Sequence, residues 1–152
     1  RRPEHLGALQ RELAPEFEWA EASPGLPLYR LAAEDVRQQA AEVSCHQAIA
    51  ADGVFAVSML AEFRPALASA PWRYRQLHWE TGVIGQLLYL EAEARGLRGT
   101  GIGCFFDDAV HTRLGLGDDH WQDLYHFTVG QPLEDPRIQT LPPYIHLDRL
   151  PG

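Results

Sequence analysis

WRYRQLHWETGVIGQLLYLEAEARGLRGTGIGCFFDD, residues Trp72 to Asp108, is the stretch on which the fold turns. From Leu77 to Arg95 it predicts a long helix with too many apolar residues for one stripe. Val83, Ile84, Leu87, Leu88, Leu90 and Ala94 surround most of its circumference, the pattern of a helix buried in a core. Gly82 and Gly85 each cost about 1 kcal/mol of helix stability relative to alanine, so something must approach them closely: another helix, or a flat ligand. Gly96 is placed to end the helix in the left-handed conformation, with Leu97 closing back onto Ala92. Thr100-Gly101-Ile102-Gly103-Cys104 then reads as a strand end whose backbone comes close to something. It is no phosphate loop, since the third glycine and the Gly-Lys-Ser/Thr ending are missing.

The flanks supply the other elements. Pro3-Glu4-His5-Leu6 starts a short helix, with Leu6, Leu9 and Leu13 on one side and Ala14-Pro15 as its stop. Glu16 to Pro27 is an acidic surface segment in which Phe17 and Trp19 alternate, and Leu26 to Leu31 is a short strand. Ala33 to Ala51 predicts one helix, with Glu34 and Asp35 in its first turn. Val54 to Phe63 is almost continuously apolar and reads as a strand buried on both faces; periodicity alone leaves a buried helix open. Pro65 to Pro71 is a connection. Asp107 or Asp108 caps a short helix that ends at Gly115. Leu124 to Val129 alternates, with Tyr125, Phe127 and Val129 on one face and His126 and Thr128 on the other. A turn-rich segment and a proline-rich tail from Ile138 follow. Three strands interleaved with helices indicate an α+β or α/β layered domain, and 152 residues suffice for one.

Composition narrows the function classes. The chain is 45% apolar and 22% charged, the make-up of an ordinary globular domain. Its net charge of -8 disfavours nucleic acid and anionic membranes as partners. All basic residues are arginine. Cys45 and Cys104 are too few for a disulfide framework and suit a reduced, cytoplasmic setting. There is no apolar run of membrane-spanning length and no signal-peptide pattern. The first residue is Arg1 rather than Met, so a piece of a longer product is expected. Cys45-His46 and the scattered His78, His111, His120 and His126 match no zinc spacing, and no metal is expected. Ser44 and Ser58 lack a Gly-x-Ser-x-Gly setting for a hydrolase.

The central stretch also carries an ordered series: Tyr74-Arg75, Glu80, Gly82, Gly85-Gln86, Leu88-Tyr89-Leu90, Ala92-Glu93-Ala94, Gly96-Leu97 and Ile102-Gly103-Cys104-Phe105-Phe106-Asp107-Asp108. Leu114-Gly115-Leu116 and Val129-Gly130-Gln131-Pro132 continue it. The series, from roughly Leu26 to Arg137, resembles the nitroreductase-like family of FMN-dependent oxidoreductases, most closely its SagB-type dehydrogenase branch. The resemblance implies an α+β fold, with a mixed sheet flanked by helices and a long central buried helix. It implies FMN as cofactor, with Thr100, Gly101, Ile102, Gly103 and Cys104 along the ring and Arg137 at the phosphate, where its planar fork would serve. Cys104 would be a soft contact or proton donor there, although a free cysteine is more commonly a small buried hydrophobe. Arg137 has the simpler alternative of a solvated turn residue. Tyr74 and Arg75 open the central helix, where Arg75 either favours an anion or pairs with Glu80 or a carbonyl. The implied reaction passes hydride between a nicotinamide or azoline-like substrate and an acceptor, in a ping-pong cycle within a homodimer paired through the long helices.

Two parts of the family pattern are absent from the sequence. These are an Arg-Arg-Ser-like motif on an opening helix, which holds the FMN phosphate, and a Pro-Ser-rich loop that reaches the flavin. Arg1-Arg2-Pro3 has the arginines without the serine. The expectation is therefore a single domain over 1–152 that lacks its N-terminal flavin-phosphate segment. The alternatives are a non-catalytic relative that serves as a binding or scaffold module, and an unrelated small α/β binding protein.

Overall fold

A computed structural model describes residues 3–147; Arg1 and Arg2 lie outside them. A 3-10 turn over Pro3–His5 leads into α1 (Leu6–Glu12). The hairpin β1 (Ala20–Glu21) and β2 (Tyr29–Arg30) follows, then α2 (Arg37–Val43) and α3 (Ile49–Asp52). Next come β3 (Phe55–Glu62), α4 (Arg64–Ser69), α5 (Arg73–Ala94), β4 (Arg98–Ile102), α6 (Asp107–Leu114) and β5 (Trp121–Gly130). The main sheet has the order β3-β5-β4 and is antiparallel in both ladders. The fold class is the expected α+β.

The central strand is β5, not β3. It pairs with β3 from Phe55 opposite Val129 to Glu62 opposite Trp121, and with β4 from Arg98 opposite Gly130 to Ile102 opposite His126. The continuous apolar run of β3 therefore does not mean burial on both faces. As an edge strand it leaves Phe55 exposed, while the alternating β5 is buried on nearly every residue. The doubly buried reading of β3 rests on composition, but a strand's place in the sheet decides its burial.

Helix α5 lies across one face of the sheet. Its Ile84, Leu88 and Ala92 pack with Val57 and Met59 of β3 and with Tyr125, Phe127 and Val129 of β5. The helix ends as read: Gly96 has φ +70°, and the Leu97 and Gly96 N–H groups donate to the Ala92 and Glu93 carbonyls at 2.9 and 3.1 Å. Burial is one-sided, however. Trp79, Val83, Leu87 and Leu90 form an outer stripe, each 57–63% exposed, so the all-round apolar pattern does not make a fully buried helix in this chain.

Three local expectations change. The predicted 33–51 helix splits into α2 and α3, because Cys45 and His46 both adopt left-handed φ values, 55° and 57°. Glu34 and Asp35 precede α2, and Asp35 instead forms a two-pronged pair with Arg37 that lowers its pKa to about 2. The 65–71 connection is largely helical, as α4 with Pro65 in its first turn. Helix α6 starts without a side-chain cap, but it does end at Gly115, φ +75°.

Side-chain acceptors dock α1 on the sheet. Trp121 Nε1 donates to Glu12 Oε2 at 2.8 Å, and His120 lies between Glu12 and Glu62, at 3.4 and 3.2 Å. No helix among the described residues is long and apolar enough to cross a membrane.

The glycines of α5 and β4 differ in kind. A Cβ on Gly101 would overlap the Tyr125 hydroxyl and lie 2.9 Å from its Cζ, whereas one on Gly82 meets nothing within 4 Å. Gly101→Ala should cost about 1–3 kcal/mol by overpacking. Gly82→Ala should stabilise by about 0.4–1 kcal/mol, through helix propensity and a less free unfolded chain. Urea unfolding of the two variants checks the opposite signs.

Candidate functional site

The end of β4 and the connection to α6 form the candidate site. Beneath it, Tyr125 and Phe127 of β5 crowd Gly101 and Gly99, where added Cβ atoms would come within 2.9 Å of Tyr125 Cζ and 2.7 Å of Phe127 Cζ. These two glycines are explained by the sheet and helix, without a ligand. The Gly101 N–H donates to Tyr89 Oη at 2.8 Å, which ties the strand to α5. Burial holds the Tyr125 hydroxyl above its ordinary pKa, and neighbouring Tyr89 adds to the effect, so Tyr125 stays neutral. Gly85 is likewise accounted for by Tyr125, whose Cε1 lies 3.2 Å from where its side chain would begin.

Gly103 is different. Nothing lies within 4 Å of its absent Cβ, and its φ is not in the left-handed region. The alternative of packing beneath a helix fails here, as does backbone strain as the reason for glycine. Gly103 and Cys104 are exposed, Thr100 is exposed, and Ile102 is buried. The five residues thus lie along one segment, but only part of it faces outward.

Cys104 is not a free thiol. It is bonded to Cys45, with the two Cα atoms 5.8 Å apart, and among the described residues no cysteine is free. The reduced, unpaired state expected from cysteine count is overturned: the turn between α2 and α3 brings together residues 59 positions apart. Bonded in this way, Cys104 has no proton to donate. The turn also carries backbone strain, since a left-handed conformation costs a non-glycine residue about 1–2 kcal/mol. Gln47 Nε2 bridges the two segments, donating to the Ser44 and Cys104 carbonyls at 2.8 and 3.1 Å, and the Phe106 N–H donates to the Val43 carbonyl at 2.7 Å.

Behind this connection lies a polar cluster that sequence reasoning missed. His126 Nδ1 is 2.9 Å from Ser44 Oγ, and His126 Nε2 is 2.6 Å from Asp123 Oδ2. Asp123 Oδ1 accepts from Ser58 Oγ at 2.8 Å, and Phe105 stacks on the His126 ring at 4.5 Å. Serine, histidine and aspartate follow the order of a nucleophilic triad. Ser44 is 2% exposed, however, so a substrate cannot reach it, and the cluster is a satisfied polar core. The register shift opposite Met59 and Leu60 leaves Leu124 as an extra residue and turns Asp123 to the His126 face. The sequence signal was two polar residues three apart in an apolar strand, which makes sense only with a bulge.

The remaining candidates are engaged in contacts of their own. The Arg137 guanidinium chelates Asp135 at 2.6–3.1 Å, which pulls the Asp135 carboxyl below its usual range. Arg137 is in this respect the solvated turn arginine. Arg75 sits over the Trp79 ring at 5.9 Å, and Tyr74 packs against Phe63 and His78. Among the described residues no group of three or more His, Cys, Asp and Glu side chains could hold a metal.

The Nitroreductase family model matches residues 12–131. No curated protein matches the chain significantly. Among solved structures, a protein from Anabaena variabilis assigned as a nitroreductase superposes with a TM-score of 0.64 at 29% identity, over 70% of this chain and 22% of that one. Nitroreductase A from Vibrio parahaemolyticus gives 0.58 at 18% identity, over 100% of this chain and 68% of that one. The NADPH:FMN oxidoreductase of Vibrio harveyi, solved with NAD+, gives 0.56 at 18% identity, over 80% and 56%. The Vibrio structures show the nitroreductase-like fold. The chain spans 22% of the Anabaena protein and 56% of the Vibrio harveyi protein.

Removing one partner of the buried cluster should be expensive. Asp123→Ala leaves His126 and Ser58 without their acceptor and should cost about 3–5 kcal/mol in urea unfolding. A loss below about 1 kcal/mol would show that the cluster contributes little to the fold.

Proposed function

The chain belongs to the nitroreductase family, and we propose that the complete protein is an FMN-dependent oxidoreductase. The supporting observation is the exposed main chain at Gly103 and Cys104, open for at least 4 Å where a side chain on Gly103 would begin. A flat ring needs contact at about 3.5–4.0 Å, and only a residue without a side chain leaves that space. This chain's residues fit such a group. The backbone of Gly103 and Cys104 would lie against the ring, and Thr100, Gly101 and Ile102 hold that backbone through the ladder with β5. Tyr125 and Phe127 fix the ladder from below, and Tyr89 fixes it from α5. Arg137 would take the phosphate by exchanging its Asp135 carboxylate for it, fork against oxygen. FMN, when bound, supplies the acceptance and return of hydride.

On this reading the substrates are small molecules that visit one face in turn, in a ping-pong cycle. Hydride passes between a nicotinamide, or an azoline-like substrate of the SagB-type dehydrogenase branch, and an acceptor. The absence of a second dinucleotide fingerprint in the sequence supports a visiting nicotinamide. The outer stripe of α5, Trp79-Val83-Leu87-Leu90, supports a homodimer paired along this helix. The location proposed remains the cytoplasm, where a cysteine pair of this kind would be redox-active rather than permanently oxidised. The flavin-phosphate segment that the sequence lacks would come from elsewhere in the complete protein.

The decisive variant is Gly103→Val in the complete protein. FMN affinity, followed by flavin fluorescence, should fall at least about ten-fold while the melting temperature stays within about 2 °C, because the added side chain points into open space. Unchanged FMN affinity in the folded variant removes Gly103 from the site. A wild-type protein that binds no FMN at all is instead the non-catalytic module. Separately, Leu87→Arg should convert the dimer to monomer in sedimentation velocity, since a charge in an apolar seam is left unpaired.

A further inference from the structure

We propose that the Cys45–Cys104 bond is a redox latch, a site of thiol–disulfide exchange with a dithiol reductant whose opening loosens the Gly103–Cys104 backbone. Among the described residues it is the one covalent tie between the α2–α3 turn and the β4–α6 connection. Its two ends differ in access. Cys104 is exposed and Cys45 is half-buried as residues, and on that ground Cys104 is the end assigned to the incoming thiolate. The thiolate bonds to Cys104 Sγ, and the electron pair of the broken bond leaves on Cys45. The second thiol of the reductant then attacks the mixed disulfide and frees Cys104. The reductant departs as its own disulfide, and each protein thiolate takes up a proton according to pH.

The surroundings say what opening would do. Cys45 and His46 are consecutive non-glycine residues in left-handed conformation, so the bond clamps a turn that the backbone alone disfavours. Breaking the bond lets that turn relax. The rest of the docking survives, because it does not pass through sulfur. The Phe106 N–H still reaches the Val43 carbonyl, and Phe105 still stacks on His126. The segment is therefore pinned from Phe105 onward, and by the ladder up to Ile102. Gly103 and Cys104 are the two residues between these anchors: Gly103 has no packed neighbour where a side chain would start, and the Cys104 carbonyl accepts from Gln47 Nε2, which belongs to the turn that relaxes. The freedom released by reduction falls on the backbone assigned above to the flavin ring. The effect on flavin rests on that reading; the exchange chemistry does not.

The test treats the complete native protein with dithiothreitol, without denaturant, and then counts thiols by maleimide labelling and mass spectrometry. Labelling should appear at Cys45 and Cys104 together, with the far-UV circular dichroism unchanged. Backbone 15N order parameters at Gly103 and Cys104 should fall below about 0.6 on reduction, and FMN affinity should fall at least about ten-fold. A Cys45→Ser/Cys104→Ser protein should match the reduced protein with or without dithiothreitol. Thiols that appear only in denaturant, or order parameters that do not change on reduction, overturn the latch. If FMN binds in neither state, the flavin reading fails, while labelling and order parameters still decide the latch.

Discussion

The enclosure of the Phe127 ring is the constraint on which the rest of the structure depends. Phe127 is 0% exposed, at the middle of the central strand. Burying a phenylalanine stabilises a domain by about 1.5–3 kcal/mol, provided that the neighbours close around it without voids. Here they close by removal of side chains. Gly99 gives way on β4, where the ring comes closest, and Gly85 does the same on α5, between Phe127 and Tyr125. Tyr89 completes the enclosure edge-on, with ring centres 4.7 Å apart, and carries its hydroxyl on to the Gly101 N–H. The position of β4 relative to α5, and hence of the open backbone at its end, is set by this one packed ring.

Much of this was legible in the sequence. The glycine stop at Gly96, the strands on either side of the central helix, the alternation of Tyr125, Phe127 and Val129, and the end of α6 at Gly115 all follow from local chemistry. What was not legible depends on contacts between distant segments. Nothing local in VFAVSMLAEF shows that it lies at an edge, because burial comes from the neighbouring strand. The break in the predicted 33–51 helix has no glycine or proline to announce it; the cause is a pairing of Cys45 with a residue 59 positions away. The outer face of α5 illustrates another limit: an apolar pattern shows that a residue seeks cover, without saying whether its own chain supplies it.

The two sides of β5 do different jobs. Towards α5 the strand is apolar and packs by shape. Towards α3 and α6 it is polar, and its extra residue at Leu124 aligns Asp123 with His126. Buried hydrogen-bonded groups tolerate less misplacement than apolar ones, because a lost partner leaves the full desolvation cost. The polar side therefore fixes the connection at Phe105, through the stacked His126 ring and Ser44, while the apolar side fixes β4. The candidate site lies where these two kinds of order meet, and its glycine segment was readable while its supporting cluster was not.

The topology also constrains how the molecule is made. The strand at the centre of the sheet is the last of the five described strands to leave the ribosome, and its partners at Phe55–Glu62 and Arg98–Ile102 precede it. Until Gly130 has been synthesised, β3 and β4 have no ladder between them, and the underside of α5 has no sheet to cover. A nascent chain therefore exposes Met59, Ile84 and Leu88 together for the time needed to extend from Leu88 to Gly130, about 2–8 s at about 5–20 residues per second. Helix α5 can form in that interval from local contacts alone, but the sheet cannot, since its closing pairs are long-range. The domain is thus assembled in one late, cooperative step, and its exposure to unwanted association is concentrated immediately before that step.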